Sequence, residues 1–208
     1  MTTPLHAGPA SGRPPLVLGS TSPYRRELLT RLRLEFSVDA PRVDEMPHAG
    51  EVPSALAQRL ALEKARDVAS RHPGAVVIGA DQVAELDGQA IGKPGNHDRA
   101  VAQLQAMRGR QVLFHTAVVV LRPATGFVQG LLASVAVLFR QLDDAEIEHY
   151  LRLEQPYDCA GSAKCETLGI TLLERIDSDD PTALVGLPLI RICSLLRLAG
   201  INVLAVAA

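Results

Sequence analysis

The chain has 208 residues, of which 47% are hydrophobic and 3% aromatic, so a domain with an aliphatic core is expected. A net charge of -2 and a sequence pI of about 6.3 exclude a broad basic surface for nucleic acid or an anionic membrane. Three cysteines without zinc-binding spacing, and no secretory signal or membrane-spanning apolar run, predict a cytoplasmic protein.

The amino-terminal segment differs in composition from the rest of the chain. Residues 1–15 are rich in Pro, Gly, Ser and Thr, and they are expected to form a disordered lead-in. Residues 16–208 are expected to form a single domain, because no linker or repeat interrupts them. This domain begins with the apolar run Leu16–Gly19, which predicts a buried strand.

A helix over about Pro23–Leu32 follows the first strand, with Ser22 as its cap. Arg25 and Arg26 occupy its first turn, where the helix dipole disfavours cations by about 0.3–1 kcal/mol each. Hydroxyl groups such as that of Ser20, free backbone N–H groups and two guanidiniums at a helix start indicate a phosphate site. The alternative is a capped surface helix whose arginines point into water.

The next elements carry two charged residues of interest. Residues 36–40 predict a second strand, which ends in a loop that contains Glu45. A long helix is predicted from about Pro53, and Lys64 lies on its apolar stripe. Lys64 therefore indicates a buried cation for phosphate, or else a lysine whose stem packs on the stripe while its charge reaches water.

A buried strand over residues 75–80 places Asp81 and Gln82 at its carboxyl end. Ligands bind at that edge of α/β sheets, so Asp81 is a candidate ligand for Mg²⁺ or acceptor of a proton from water. The alternative is an aspartate that caps a turn. Residues 83–86 and 89–91 flank Asp87-Gly88, which predicts a hairpin.

The rest of the chain mixes strands with helices. The predicted elements are a helix over 97–107, strands over 111–121 and 127–139, a helix to about 153 that begins with the capping box of Asp143 and Glu146, a strand over 170–174 and a helix through 198. This order predicts an α/β fold with a mixed central sheet flanked by helices. No apolar stripe demands a partner chain, and a homodimer stays open.

Seven short motifs, in this order, resemble the Maf-type nucleotide pyrophosphatases over residues 16–198. The motifs are Leu18-Gly19-Ser20-Thr21-Ser22-Pro23-Tyr24-Arg25-Arg26, Val43-Asp44-Glu45, Glu63-Lys64-Ala65, Gly79-Ala80-Asp81-Gln82-Val83, Gly92-Lys93-Pro94, Cys159-Ala160-Gly161-Ser162 and Val185-Gly186-Leu187-Pro188. The resemblance implies a two-lobed α/β fold with the active site in the cleft. It also implies hydrolysis of a nucleoside triphosphate to the monophosphate and diphosphate with a divalent metal, Mg²⁺ or Mn²⁺.

The resemblance also assigns roles to individual residues. It implies that Asp81 is the proton acceptor and that Glu45 and Asp81 bind the metal. It further implies that the phosphates are bound by Ser20, Arg25, Lys64 and Lys93.

Three positions separate the branches of this family. The branch that acts on dTTP and UTP typically has Arg, Thr and Gln where this chain has Tyr24, Gln82 and Glu166. The three residues of this chain resemble the 7-methyl-GTP branch instead. Two other interpretations stay open, namely a dTTP and UTP pyrophosphatase and a nucleotide-binding regulator of cell division.

Overall fold

The computed structural model describes residues 13–204. Its strands are β1 (Leu16–Gly19), β2 (Ser37–Asp39), β3 (Val76–Leu86), β4 (Gln89–Ile91), β5 (Gln111–Arg122), β6 (Phe127–Phe139) and β7 (Leu173–Asp177). Its α-helices are α1 (Pro23–Thr30), α2 (Pro53–Arg71), α3 (His97–Met107), α4 (Asp144–Glu154) and α5 (Leu189–Leu198). No helix among the described residues is long and apolar enough to cross a membrane.

The strands form one mixed sheet in the order β2-β1-β3-β5-β6-β7, and β4 pairs with β3. β1 is parallel to both β2 and β3, whereas β3, β5, β6 and β7 pair antiparallel in succession. The predicted α/β fold with a mixed central sheet and flanking helices is therefore confirmed.

β3 differs from its prediction in a way that matters for the site. The two strands predicted over 75–80 and 83–86 are one continuous strand, so Asp81 and Gln82 lie in its middle and not at its carboxyl end. The cause is a distant partner, because β5 pairs with β3 without interruption from Val77 to Glu85. The prediction over 170–174 is also partly wrong, since a 3-10 turn occupies Leu168–Leu172 and β7 starts at Leu173.

Local signals at the turns and caps are confirmed. Ser22 caps α1 by accepting a hydrogen bond from the Arg25 backbone N–H at 3.4 Å. Asp143 and Glu146 form the predicted reciprocal capping box of α4. Most of the predicted lead-in, residues 1–12, lies outside the described part of the chain, whereas the Pro15 carbonyl already accepts a hydrogen bond from Val76 N.

The hydrophobic interior divides into two lobes along the long strands. Near β1, α2 covers one face of the sheet, and α1 and α5 cover the other. Further along β3 and β5, α3 and α4 pack on the same face as α1 and α5 and form a separate core cluster. This division leaves room for a cleft between the two helix groups, as the resemblance implied.

Candidate active site

A cleft of about 570 Å³ lies where the edge of β3 is left open. The pairing of β1 with β3 ends at Gly79, and β4 begins to pair with β3 only at Ala84. Between these points the described pairing of β3 is to β5 alone, and successive side chains point to opposite faces of the sheet. All but one of the residues with a predicted role line this cleft, the exception being Arg26: Ser20, Tyr24, Arg25, Glu45, Lys64, Asp81, Gln82, Lys93 and Glu166.

Asp81 and Lys64 form a buried ion pair at one side of the cleft. Lys64 Nζ lies 2.6 Å from Asp81 Oδ1 and 2.5 Å from Glu45 Oε1. Only 6% of the Lys64 side chain is exposed, so the lysine on the apolar stripe does not reach bulk water. Asp81 Oδ2 accepts no hydrogen bond from any residue in the described range 13–204, nor is it a buried atom without a partner. This second oxygen therefore faces the cleft.

Close packing of α2 on β3 makes this ion pair possible. A Cβ atom at Gly79 would lie 2.4 Å from the Ala61 carbonyl oxygen and 2.6 Å from the Ala65 amide nitrogen. Glycine on the strand and alanines on the helix therefore let the two backbones approach closely. Lys64 lies on the face of α2 that packs against β3, and the close packing holds it beside Asp81.

Glu45 is the more exposed of the two carboxylates on Lys64. Partial burial works to raise the pKa of Glu45, but Lys64, Lys93 and Arg25 outweigh it and hold that pKa below its ordinary value. Lys93 itself is exposed on the rim of the cleft. This side of the cleft thus combines the carboxylates of Glu45 and Asp81 with three cations, of which Lys93 is the most open to solvent.

Arg25 is held at the base of the cleft by the loop before α5. Its Nε donates to the Gly186 carbonyl at 2.9 Å, and its Nη1 donates to Ser20 Oγ at 3.4 Å. Burial lowers the pKa of the Arg25 guanidinium, whereas Asp81 and Glu45 act to raise it. The structure does not place Arg26 with Arg25, because adjacent helical residues point in different directions and Arg26 lines a separate surface groove.

Tyr24 and Glu166 mark the other end of the cleft. The Tyr24 hydroxyl lies 3.4 Å from Asp158 Oδ2, and the Lys164 ammonium lies 6.0 Å from the centre of the Tyr24 ring. Burial, helped by the hydrogen bond with Cys159, raises the pKa of the Tyr24 hydroxyl, which stays neutral. Glu166 is exposed, so its carboxylate is open to a ligand.

Gln82 points to the sheet face opposite Asp81 and contacts the loop before α5. Its Nε2 donates to Thr116 Oγ1 at 2.8 Å and to the Leu184 carbonyl at 3.0 Å, and it lies 3.1 Å from the Ala183 carbonyl. The same loop therefore contacts Arg25 and Gln82 on one side of the cleft.

Glu45 and Asp81 are the predicted metal ligands. Within residues 13–204, no group of three or more His, Cys, Asp or Glu side chains is arranged to hold a metal ion. Mg²⁺ is often bound by one or two carboxylates while substrate phosphates and water supply the remaining ligands. Two carboxylates that share one ammonium, in a cleft of about 570 Å³ that also carries Arg25 and Lys93, fit that kind of site.

Some residues of the site carry no signal that sequence reasoning used. Thr116 lies inside an apolar run, and its contact with Gln82 depends on the register of two strands 34 residues apart. Gly186 contributes a backbone carbonyl, which any residue would carry. Gly79 opens the motif Gly79-Ala80-Asp81-Gln82-Val83, but its close approach to α2 is evident only in the folded chain.

Similarities to known proteins cover most of the chain. Residues 15–199 match the family model described as Maf-like protein. The chain is 68% identical over 189 residues to the "7-methyl-GTP pyrophosphatase" of Albidiferax ferrireducens, a match that covers 91% of this chain and 95% of that protein. It is 65% identical to the protein of the same name from Polaromonas sp. (92% and 87% covered) and 54% identical to that from Methylobacillus flagellatus (92% and 100% covered).

Proposed function

The chain belongs to the family of Maf-like proteins, and we propose that it hydrolyses 7-methyl-GTP to 7-methyl-GMP and diphosphate. The relatives named as 7-methyl-GTP pyrophosphatases support this substrate. The observation that carries the reaction type is the open Oδ2 of Asp81, which faces a cleft that also contains Arg25 and Lys93. We further propose a cytoplasmic location, because all three cysteines are free thiols.

In the proposed reaction, Asp81 is the proton acceptor for the attacking water. The water oxygen forms a bond to the α-phosphorus, the bond from that phosphorus to the α,β-bridging oxygen breaks, and diphosphate leaves. Lys64 fixes the Asp81 carboxylate through Oδ1, so Oδ2 is the oxygen that receives the proton. This division of labour uses the two oxygens of one carboxylate separately.

The second requirement of the reaction is positive charge from the protein around the oxygens of the triphosphate. Arg25 can bind phosphate oxygens with its Nη atoms while its Nε stays on the Gly186 carbonyl. Lys93 can add a mobile point charge from the rim, and Ser20 can donate its hydroxyl hydrogen. A divalent metal held by Glu45 and Asp81, with Asp81 Oδ2 left free for the proton, would supply further charge neutralisation on the phosphate oxygens.

Base recognition is assigned to Tyr24 and Glu166. Methylation at N7 gives the guanine ring a positive charge, and a cation over an aromatic face gains about 0.5–2 kcal/mol. The neutral Tyr24 ring offers such a face, and Glu166 offers a charged acceptor for the N1–H and the exocyclic amine.

The direct experiment measures diphosphate release from 7-methyl-GTP, GTP, dTTP and UTP, with Mg²⁺, with Mn²⁺ and with a chelator. We expect the highest kcat/KM for 7-methyl-GTP with metal and strongly reduced turnover with the chelator. Binding of nucleotide without any release of diphosphate would favour the regulator interpretation instead. Faster turnover of dTTP and UTP would overturn the substrate assignment.

A triple substitution tests whether the three branch-specific residues select the base. Changing Tyr24→Arg, Gln82→Thr and Glu166→Gln together is expected to shift preference from 7-methyl-GTP toward dTTP and UTP. Retention of the purine preference by this variant would show that other residues select the base.

A further inference from the structure

Hydrogen-bond chemistry fixes the orientation of the Gln82 side chain. One end of its amide lies within 3.1 Å of two backbone carbonyl oxygens, those of Ala183 and Leu184. A carbonyl oxygen only accepts hydrogen bonds, so the NH₂ group must occupy that end and the Oε1 atom the other.

Thr116 completes this arrangement. Its hydroxyl donates to the Ala183 carbonyl at 2.9 Å, so its oxygen accepts from Gln82 Nε2 at 2.8 Å. Thr116 is fully buried and lies directly opposite Gln82 in the pairing of β3 with β5. Because the NH₂ group of Gln82 can only donate, the Thr116 oxygen must accept from it, and the hydroxyl hydrogen of Thr116 is then available for the Ala183 carbonyl.

The other end of the amide is free for a ligand. Gln82 Oε1 accepts no hydrogen bond from any described residue, nor is it among their buried atoms without a partner. Because Gln82 lines the cleft, this oxygen is open to the cleft. A carbonyl oxygen can only accept hydrogen bonds, and the oxygens of a carboxylate such as Glu166 are acceptors too.

We infer that Thr116 is a specificity-positioning residue: together with the Ala183 and Leu184 carbonyls it holds Gln82 with its acceptor oxygen toward the cleft, where that oxygen favours a base edge that carries N–H donors. Guanine carries two kinds of donor on one edge, the ring N1–H and the exocyclic amine. Adenine has an acceptor at N1 and is disfavoured. The inference rests on the proposed function for its substrate, but the orientation of Gln82 is a property of the free protein.

The first test compares Thr116→Val with Thr116→Ser. Valine keeps the shape of threonine without the hydroxyl, so Gln82 Nε2 loses one of its three acceptors and the side chain is held less tightly, whereas serine keeps the hydroxyl. We measure the KM and kcat for 7-methyl-GTP and the inhibition constant of ATP as a competing nucleotide. For Thr116→Val, discrimination between the two nucleotides should fall about fivefold to tenfold, the effect of one hydrogen bond. Thr116→Ser should retain it.

If Thr116 had a purely structural role, Thr116→Val would weaken the binding of 7-methyl-GTP and of ATP by the same factor. Equal discrimination by Thr116→Val and the unaltered protein would therefore overturn the inference. Should the valine variant fail to fold, a second measurement on the unaltered protein decides the matter. This measurement records the hydrogen exchange of the Gln82 side-chain NH₂ group by nuclear magnetic resonance. The NH₂ signal is assigned by its absence from the spectrum of Gln82→Leu.

The NH₂ protons of Gln82 should exchange roughly tenfold more slowly than those of exposed Gln129, with and without 7-methyl-GMP. Exchange as fast as that of Gln129 would overturn the inference. A protein that releases no diphosphate from 7-methyl-GTP would contradict the proposed function, but the exchange result in the free protein would still decide the orientation of Gln82.

Discussion

Gly79 allows α2 to pack closely on β3, and this packing holds Lys64 beside Asp81. The substitution Gly79→Ala perturbs the packing by a single methyl group. The new Cβ atom would lie 2.4 Å from the Ala61 carbonyl oxygen, whereas an ordinary contact begins near 3.4 Å. α2 must therefore move away from β3 by roughly 1 Å, and overpacking of this kind costs about 1–3 kcal/mol. Lys64 lies on the same face of α2, so its contact with Asp81 must lengthen.

A misplacement of about 1 Å can lower turnover on the order of 10²-fold. We therefore expect Gly79→Ala to lower kcat for 7-methyl-GTP by about that factor. Its melting temperature should fall by about 2–4 °C for each kcal/mol lost. Gly74→Ala is the matched control, because a Cβ at Gly74 meets no atom within 4 Å. Unchanged turnover in Gly79→Ala would refute the claim that tight packing of α2 positions Lys64.

Two further predictions concern stability. Asp180 is fully buried and accepts hydrogen bonds from the amides of Ile190 and Arg191 at the start of α5, so Asp180→Asn should lower the free energy of unfolding by about 1.5–3 kcal/mol in urea denaturation. The exposed neighbour Asp179→Asn is its control, and an equal loss in both variants would contradict the role of burial. The pKa of Asp39 is lowered from 3.8 to about 2 by hydrogen bonds from an arginine and a histidine at the end of α2. Because the folded-state pKa is depressed, this stabilisation is present above about pH 4 and lost as the pH falls toward 2. The difference in unfolding free energy between the unaltered protein and Asp39→Asn should vanish over that range, and a difference independent of pH would contradict it.

Local signals predicted the elements around the site well. The cap of α1 and the capping box of α4 depend on residues within three positions of each other, and both are confirmed. Lys64 on an apolar stripe was identified as unusual, and the structure places it in a buried ion pair. The sequence contains the cause of both caps because the interacting residues share one helix end, whereas the stripe of α2 indicates only that Lys64 faces the core and does not reveal its partner on β3.

Long-range pairing decided the features that the sequence did not predict. Asp81 lies in the middle of β3 because β5 supplies a continuous partner, which no local pattern announces. The contact between Gln82 and Thr116 depends on the register of the same two strands. Arg26 was grouped with Arg25 because they are adjacent in sequence, but the turn of the helix separates their side chains.

Substitution of Asp81 tests the catalytic proposal most directly. Asp81→Asn keeps the size of the side chain but removes the oxygen that would take up the proton from water. We expect kcat for 7-methyl-GTP to fall by roughly 10²–10⁴-fold, while the dissociation constant of the nucleotide stays within a few-fold. Asp44→Asn, an exposed substitution beside Glu45, is the control for the change of charge. Turnover by Asp81→Asn equal to that of the unaltered protein would contradict the role of Asp81 as proton acceptor.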